Sequence, residues 1–349
     1  MTTEFDCLAT AIGSMPHTDP DEACGLVARY LQIPAWPQLP RRHPRENMYL
    51  QFFDNFLGLD MEAGGGGDES SLIVDIGDQE KVIYGLSRLV KARQGNEIEY
   101  GSFVTPDIAR GLDAFLKTDL GSPLAVKGQV IGPISLGLVA TDPDRRPIVY
   151  DDNLAEPLAM HLRLKAAWQE NELSRLSRNT IIFVDEPYLA SLGSAFISLP
   201  EQRVRGLLEE VLGGITGLKG VHCCGNTDWS LLLDTSIDIL SLDAYNYAQT
   251  LSLYPAEVKA FLERGGAIAW GIVPNEAEAL ENEDERELYD RLLEEAMAPL
   301  TRKGVRFEQL LRQSLITPSC GLAALSPEAA SRALELLAKL SQRLRERYI

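Results

Sequence analysis

Thr180-Ile-Ile-Phe-Val-Asp185-Glu186-Pro187 is a short, β-branched apolar run that stops abruptly on two acids and a proline. Such a run reads as a strand buried on both faces, with its polar residues gathered at the carboxyl end. The same pattern recurs downstream in Lys219-Gly-Val-His222-Cys223-Cys224, Ile239-Leu-Ser-Leu-Asp243, Gly266-Ala-Ile-Ala-Trp-Gly-Ile-Val273 and Ser314-Leu-Ile-Thr-Pro-Ser-Cys320. Upstream it appears in Ala125-Val-Lys-Gly-Gln-Val-Ile-Gly132. Helical periodicity fills the intervals near residues 154–178, 200–214, 228–234, 254–264 and 284–302, and again over 327–347.

Repeated βα units of this kind mean a parallel sheet. Two earlier runs, Leu8 to Pro16 and Leu72 to Ile76, bring the expected strands to eight, the number that closes a (β/α)8 TIM barrel. An open doubly wound sheet needs fewer strands and a phosphate-binding glycine turn after the first. Residues 1–349 therefore read as a single α/β barrel domain with an excursion between early strands, over residues 72–120. Helix-like pieces at Asp19-Pro20-Asp21 to Leu31, Gln79 to Arg93 and Pro106 to Lys117 belong to this first part of the chain.

Net charge is −18 over 349 residues, spread along the chain rather than held in a tail. Phosphate contact needs clustered Lys and Arg, so nucleic acid and anionic membranes are excluded as partners, leaving a small molecule or another protein. The acidic start, Met1 to Asp6, and the absence of a membrane-length apolar run predict a cytoplasmic protein. Five cysteines at irregular spacing predict reduced thiols, ligands or nucleophiles rather than a disulfide framework. Glu62-Ala-Gly-Gly-Gly-Gly-Asp-Glu69 lacks a following Gly-Lys-Ser/Thr and is expected to be a surface loop. Arg41, Arg42 and Arg45 follow Trp36; a solvated face is the ordinary fate of such charges, and an anion site is the sharper alternative.

Polar residues close the strand runs: Ser14, Asp185 and Glu186, His222 and Cys224, Asp243, and Cys320. In a barrel these ends converge on one face, where active sites of the fold lie. His222 and Cys224 alternate with Cys223, so they share one side of the strand and Cys223 takes the other. His222, Cys224, Cys320 and Asp243 together make a zinc-like donor set. A buried cysteine is often only a small hydrophobe, and a strand-end histidine is often held by ordinary hydrogen bonds. The whole set at one mouth favours the metal. A metalloprotease would carry His-Glu-x-x-His on a helix, which is missing, and four histidines in the whole chain are too few for an all-histidine hydrolase centre.

With these residues in view, the chain resembles the catalytic C-terminal half of cobalamin-independent methionine synthase, within the superfamily of uroporphyrinogen decarboxylase and corrinoid methyltransferases. Ile12-Gly13-Ser14-Met15-Pro16 is similar to the family's Ile-Gly-Ser-Phe-Pro, Arg45 to Phe53 to its Glu-Arg-Asn-Asp-Met segment, and Val126-Lys-Gly-Gln-Val-Ile-Gly-Pro133 to its Val-Lys-Gly-x-x-x-Gly-Pro strand. Asp185-Glu186-Pro187 matches Asp-Glu-Pro, while His222-x-Cys224 and Cys320-Gly-Leu322 match its zinc ligands. The resemblance implies zinc as cofactor, homocysteine as the thiol acceptor, Gly13 and Ser14 as its binding loop and Asp185 as partner of its ammonium, with Glu186 beside it.

The sequence departs from the family pattern at four points. Asp243 stands where the family has a zinc-binding glutamate, and Arg42 where it has a glutamate that helps hold homocysteine. Trp270 to Asn275 offers no counterpart of the strand-seven histidine, and the folate contacts and the N-terminal barrel have no counterpart here. The resemblance thus implies a methylated corrinoid or corrinoid protein as donor rather than folate. Two other readings compete. A metal-free, uroporphyrinogen decarboxylase-like enzyme would use Arg41, Arg42 and Arg45 for substrate carboxylates, and a non-catalytic barrel would only bind zinc and a thiol.

Overall fold

The computed structural model describes residues 4–58, 72–103, 106–194 and 197–349, so the glycine run Gly64 to Gly67 lies outside the described residues. Among the described residues, seven parallel strands form one sheet: β1 (Leu8–Ala9), β2 (Val126–Ile131), β3 (Thr180–Asp185), β4 (Leu218–Cys223), β5 (Ile239–Asp243), β6 (Ala267–Val273) and β7 (Ser314–Pro318). Their order is β1-β7-β6-β5-β4-β3-β2, each strand beside its neighbour in sequence except at β1, which joins β7. Helices Asp152–Leu173, Glu201–Leu212, Trp229–Leu233, Pro255–Glu263 and Pro327–Tyr348 alternate with the strands, within a few residues of the predicted intervals.

Among the described residues, the expected eighth strand is absent from this sheet. Leu72 to Ile76 stands apart, with Ile73 bridging Thr141. Between the sheet's two edges runs Ile33 to Gln38 instead. Ile33 N–H donates to the Ala9 carbonyl, Gln38 N–H to the Gly13 carbonyl, and Met15 N–H to the Gln38 carbonyl. On the other side Trp36 N–H donates to the Lys127 carbonyl and Lys127 N–H to the Pro34 carbonyl. Pro34 and Pro37 have no N–H to give, which restricts the segment to single bridges at Ser14–Gln38 and Ala35–Lys127. Side chains supply the missing links: Trp36 Nε1 donates to Gln169 Oε1 at 2.9 Å, Gln169 Nε2 to the Gln129 carbonyl at 2.9 Å, and Gln129 Nε2 to the Trp36 carbonyl at 3.2 Å.

Strand parity divides the core in two. Phe5, Ile33, Ala125, Ile181, Phe183, Leu218, Ile239, Ala267, Ala269 and Leu315 form a separate cluster on the inner side of the curled sheet. Alternate residues such as Ile182, Val184, Val221, Leu240, Leu242, Ile268 and Trp270 belong to the larger cluster under the helices. Inside, the strands change character along their length: the amino ends are apolar, and continuing the same parity towards the carboxyl ends brings Gln129, Asp185, His222, Ser241, Asp243 and Thr317 inward, all buried.

The excursion packs on the outside, over helix Asp152–Leu173. His161 of that helix is fully buried there, its Nε2 donating to the Phe52 carbonyl at 3.0 Å and its ring set edge-on to Phe56. Burial drives its pKa down to about 3. Among the described residues, no helix is long and apolar enough to cross a membrane.

Candidate metal centre

His222 is the inward residue near the end of β4, and Cys224 follows just past the strand. Cys320 lies two residues beyond the end of β7. Their donor atoms all lie within 4.8 Å of one another. Tetrahedral zinc, with bonds of about 2.0 to 2.3 Å, holds its ligand atoms roughly 3.5 Å apart, so this cluster needs only a small contraction to grip the ion. Cys223 points outward, is buried and donates to the Gly225 carbonyl at 3.5 Å, as strand alternation predicts. Burial pushes its thiol up to about 12.

The imidazole is prepared on one side and free on the other. Nδ1 of His222 is 3.0 Å from Ser241 Oγ, and buried Nε2 has no hydrogen-bond partner. With Nδ1–H donating to the serine, Nε2 carries an available lone pair, the arrangement a metal-bound histidine needs. The sulfurs are unequal. A hydrogen bond from Cys320 brings the Cys224 thiol down to about 4, with His222 helping and burial opposing; the donor Cys320 is raised by the same contact and by burial. Two neighbouring sulfurs and an imidazole nitrogen aimed at neither carbonyl nor hydroxyl fit a soft divalent ion.

Asp243, expected as fourth ligand, lies outside this group of three among the described residues. It caps the helix Ala244–Tyr247: Oδ1 accepts from Asn246 N–H at 2.9 Å and Oδ2 from Asn246 Nδ2 at 2.8 Å. Burial raises its pKa, and the bonds from Asn246 oppose the rise.

Asp185 ends β3 directly across the ladder from His222. It is buried and its Oδ1 has no hydrogen-bond partner. Burial lifts its pKa to about 6, against the pull of His222 and of Lys127. Glu186 turns to the outer side, where its carboxylate accepts from Ile134 N–H and Ser135 N–H, both at 2.8 Å, and from Ser135 Oγ at 2.6 Å. It anchors the start of helix Pro133–Val139, and burial raises its pKa to about 7 despite those bonds.

The Gly13-Ser14 turn reaches the same mouth. The Ser14 carbonyl accepts from Leu322 N–H at 2.8 Å, and a Cβ on Gly321 would come within 2.0 Å of Ser14 Oγ, so the glycine after Cys320 admits the serine beside it. Arg42 is spent elsewhere, on the buried Glu46 carboxylate and on the Asp107 carbonyl at 3.0 Å. Arg41 donates to the Ala324 carbonyl at 3.0 Å, and Trp36 is fully buried rather than stacked beneath the arginines.

Three buried polar residues of the barrel interior escape a reading of strand ends alone. Ser241 orients His222, Lys127 stands below Asp185, and Thr317 is fully buried with an unpartnered hydroxyl. Each is a polar residue inside a mainly apolar run, in phase with the run's other inward-facing residues, and that phase was the available signal.

No family model and no curated protein matches this chain. Solved structures similar to it include a B12-independent methionine synthase from Shewanella sp. W3-18-1 in complex with selenomethionine, at 18% identity and a TM-score of 0.49, covering 70% of this chain and 69% of that one. A putative vitamin-B12-independent methionine synthase from Listeria monocytogenes is similar at 17% identity and a TM-score of 0.46, covering 66% and 68%. A methyltransferase from Methanosarcina mazei is similar at 13% identity and a TM-score of 0.48, covering 98% and 99%.

Proposed function

We propose that this chain is a zinc-dependent methyltransferase that moves a methyl group to the sulfur of a thiol, with homocysteine as acceptor. The observation that carries the reading is the unpartnered Nε2 of His222 beside the sulfurs of Cys224 and Cys320 at the carboxyl end of the barrel. Three donors leave a fourth position, the mark of a catalytic rather than a structural zinc site. Bound there, zinc supplies the Lewis acidity that lets a thiol ionise near neutral pH.

The chain's own residues do the rest. Asp185 presents a buried, unpartnered oxygen to the acceptor's ammonium. Gly13 and Ser14 border the sulfur end of the acceptor, next to Cys320 through the Leu322 amide. Asp243 holds Asn246 and the loop that follows β5. In the reaction the acceptor loses its thiol proton to solvent, its sulfur forms the new bond to the methyl carbon, and the donor's bond to that carbon breaks with the electron pair staying on the donor. The donor is a methylated corrinoid, free or protein-bound, approaching the open mouth.

The test is metal analysis combined with turnover. Purified protein is expected to hold one zinc per chain and to form methionine from homocysteine and methylcobalamin, and Cys320→Ser to lose both properties. A zinc-free wild type whose activity is untouched by Cys320→Ser overturns the proposal.

A further inference from the structure

Lys127 is a buried cation that the metal chemistry leaves unused. It is fully buried inside the barrel on β2. Its ammonium donates to the Ile12 carbonyl at 2.8 Å, lies 3.5 Å from Gln129 Oε1 and sits 4.2 Å from the centre of the Phe183 ring. An ammonium in such a place is costly unless its charge is answered, and the charge acting on it is the Asp185 carboxylate. Burial brings its pKa down to about 8, with Asp185 holding it up.

The carbonyl that Lys127 grips lies immediately before Gly13. Gly13 has a φ of +154°, and a Cβ there would fall 2.6 Å from the Gln129 side chain. The turn is thus held by Lys127 on Ile12, Gln129 against Gly13, Gln38 N–H on the Gly13 carbonyl and Leu322 N–H on the Ser14 carbonyl. Only the first carries a full charge, and it comes from the residue that also balances Asp185. A buried ammonium therefore ties the turn assigned to the acceptor to β2.

We propose that Lys127 is a positioning residue for the thiol acceptor, fixing the Gly13-Ser14 turn through the Ile12 carbonyl. This rests on the methyl-transfer reading above. Lys127 touches neither the metal donors nor the reacting atoms, so its removal acts on acceptor binding and spares the metal.

The experiment compares wild type, Lys127→Met and Lys127→Arg for zinc content, thermal midpoint, and KM and kcat for homocysteine. Lys127→Met is expected to keep one zinc per chain while KM rises at least tenfold and kcat changes less than threefold, with Lys127→Arg recovering part of the loss. A zinc-loaded, folded Lys127→Met enzyme whose KM stays within twofold of wild type overturns the role of Lys127 alone. A wild type that binds no homocysteine overturns both proposals. Should the methionine variant fail to fold, lysine-selective 15N labelling of the wild type decides. Homocysteine is expected to shift the buried Lys127 ammonium signal and leave that of Lys165 in place; a Lys127 signal indifferent to homocysteine overturns the role.

Discussion

Nδ1 of His222 lies 3.0 Å from the hydroxyl of Ser241, the residue paired with it across the ladder between β4 and β5. The serine fixes the ring and leaves Nε2 facing the sulfurs. Groups that orient a metal-bound histidine are worth about 10- to 100-fold in metal affinity. Ser241→Ala is therefore expected to weaken zinc binding by about that factor, measured by competition with a chromophoric chelator. His222→Ala should abolish stoichiometric zinc altogether.

The two sulfurs at the mouth should betray themselves when zinc is stripped by a chelator. Cys224, brought down to about 4 by Cys320 and His222, is a thiolate near pH 6, whereas burial holds Cys7, Cys24 and Cys223 at about 12. Iodoacetamide at about pH 6 is expected to label Cys224 first in the apoprotein, read by peptide mass spectrometry, and added zinc should protect it. Equal labelling of all five cysteines would contradict the arrangement.

Both carboxylate oxygens of Asp243 serve Asn246. Asp243→Ala is expected to cost about 1 kcal/mol of stability, the usual value of a lost helix cap, and to leave zinc stoichiometry unchanged. Loss of the metal in this variant would instead make Asp243 a ligand that swings away from its cap.

His161 remains neutral in the folded chain because burial lowers its pKa to about 3. An unfolded chain, with its histidine near 6.5, binds an extra proton between those values. The stability contributed by the neutral ring is complete above pH 6.5 and is lost as the pH falls from there towards 3. The thermal midpoint of His161→Leu should start lower, for want of the bond to Phe52, yet decline less than that of wild type between about pH 7 and 4.5.

The strands from residue 125 onward were legible because each is largely buried on both faces and writes itself as a short, mainly apolar run. His222 and Cys224 were assigned to one side by counting alone, and the structure has them so. Leu72 to Ile76 misled because a run of similar composition can make a single bridge outside the sheet. Ile33 to Gln38 escaped because its two prolines are the usual sign of a connector, and its place depends on a hydrogen bond from Gln129 and one given to Gln169, both distant in sequence. Asp243 and Glu186 show the other limit. A carboxylate at a strand end can face a ligand or an amide, and only the local turn decides which.

The segment from Ile33 to Gln38 also bears on how the molecule breathes. The ladders from β2 to β7 can open only by giving up many hydrogen bonds together, whereas this stave is tied by a few scattered ones. Its amides, those of Trp36 and Gln38 above all, should exchange with solvent through a local opening while the ladder amides of β3 to β6 wait for global unfolding. The curled sheet then has a seam between its two edges, and it runs beside the Gly13-Ser14 turn.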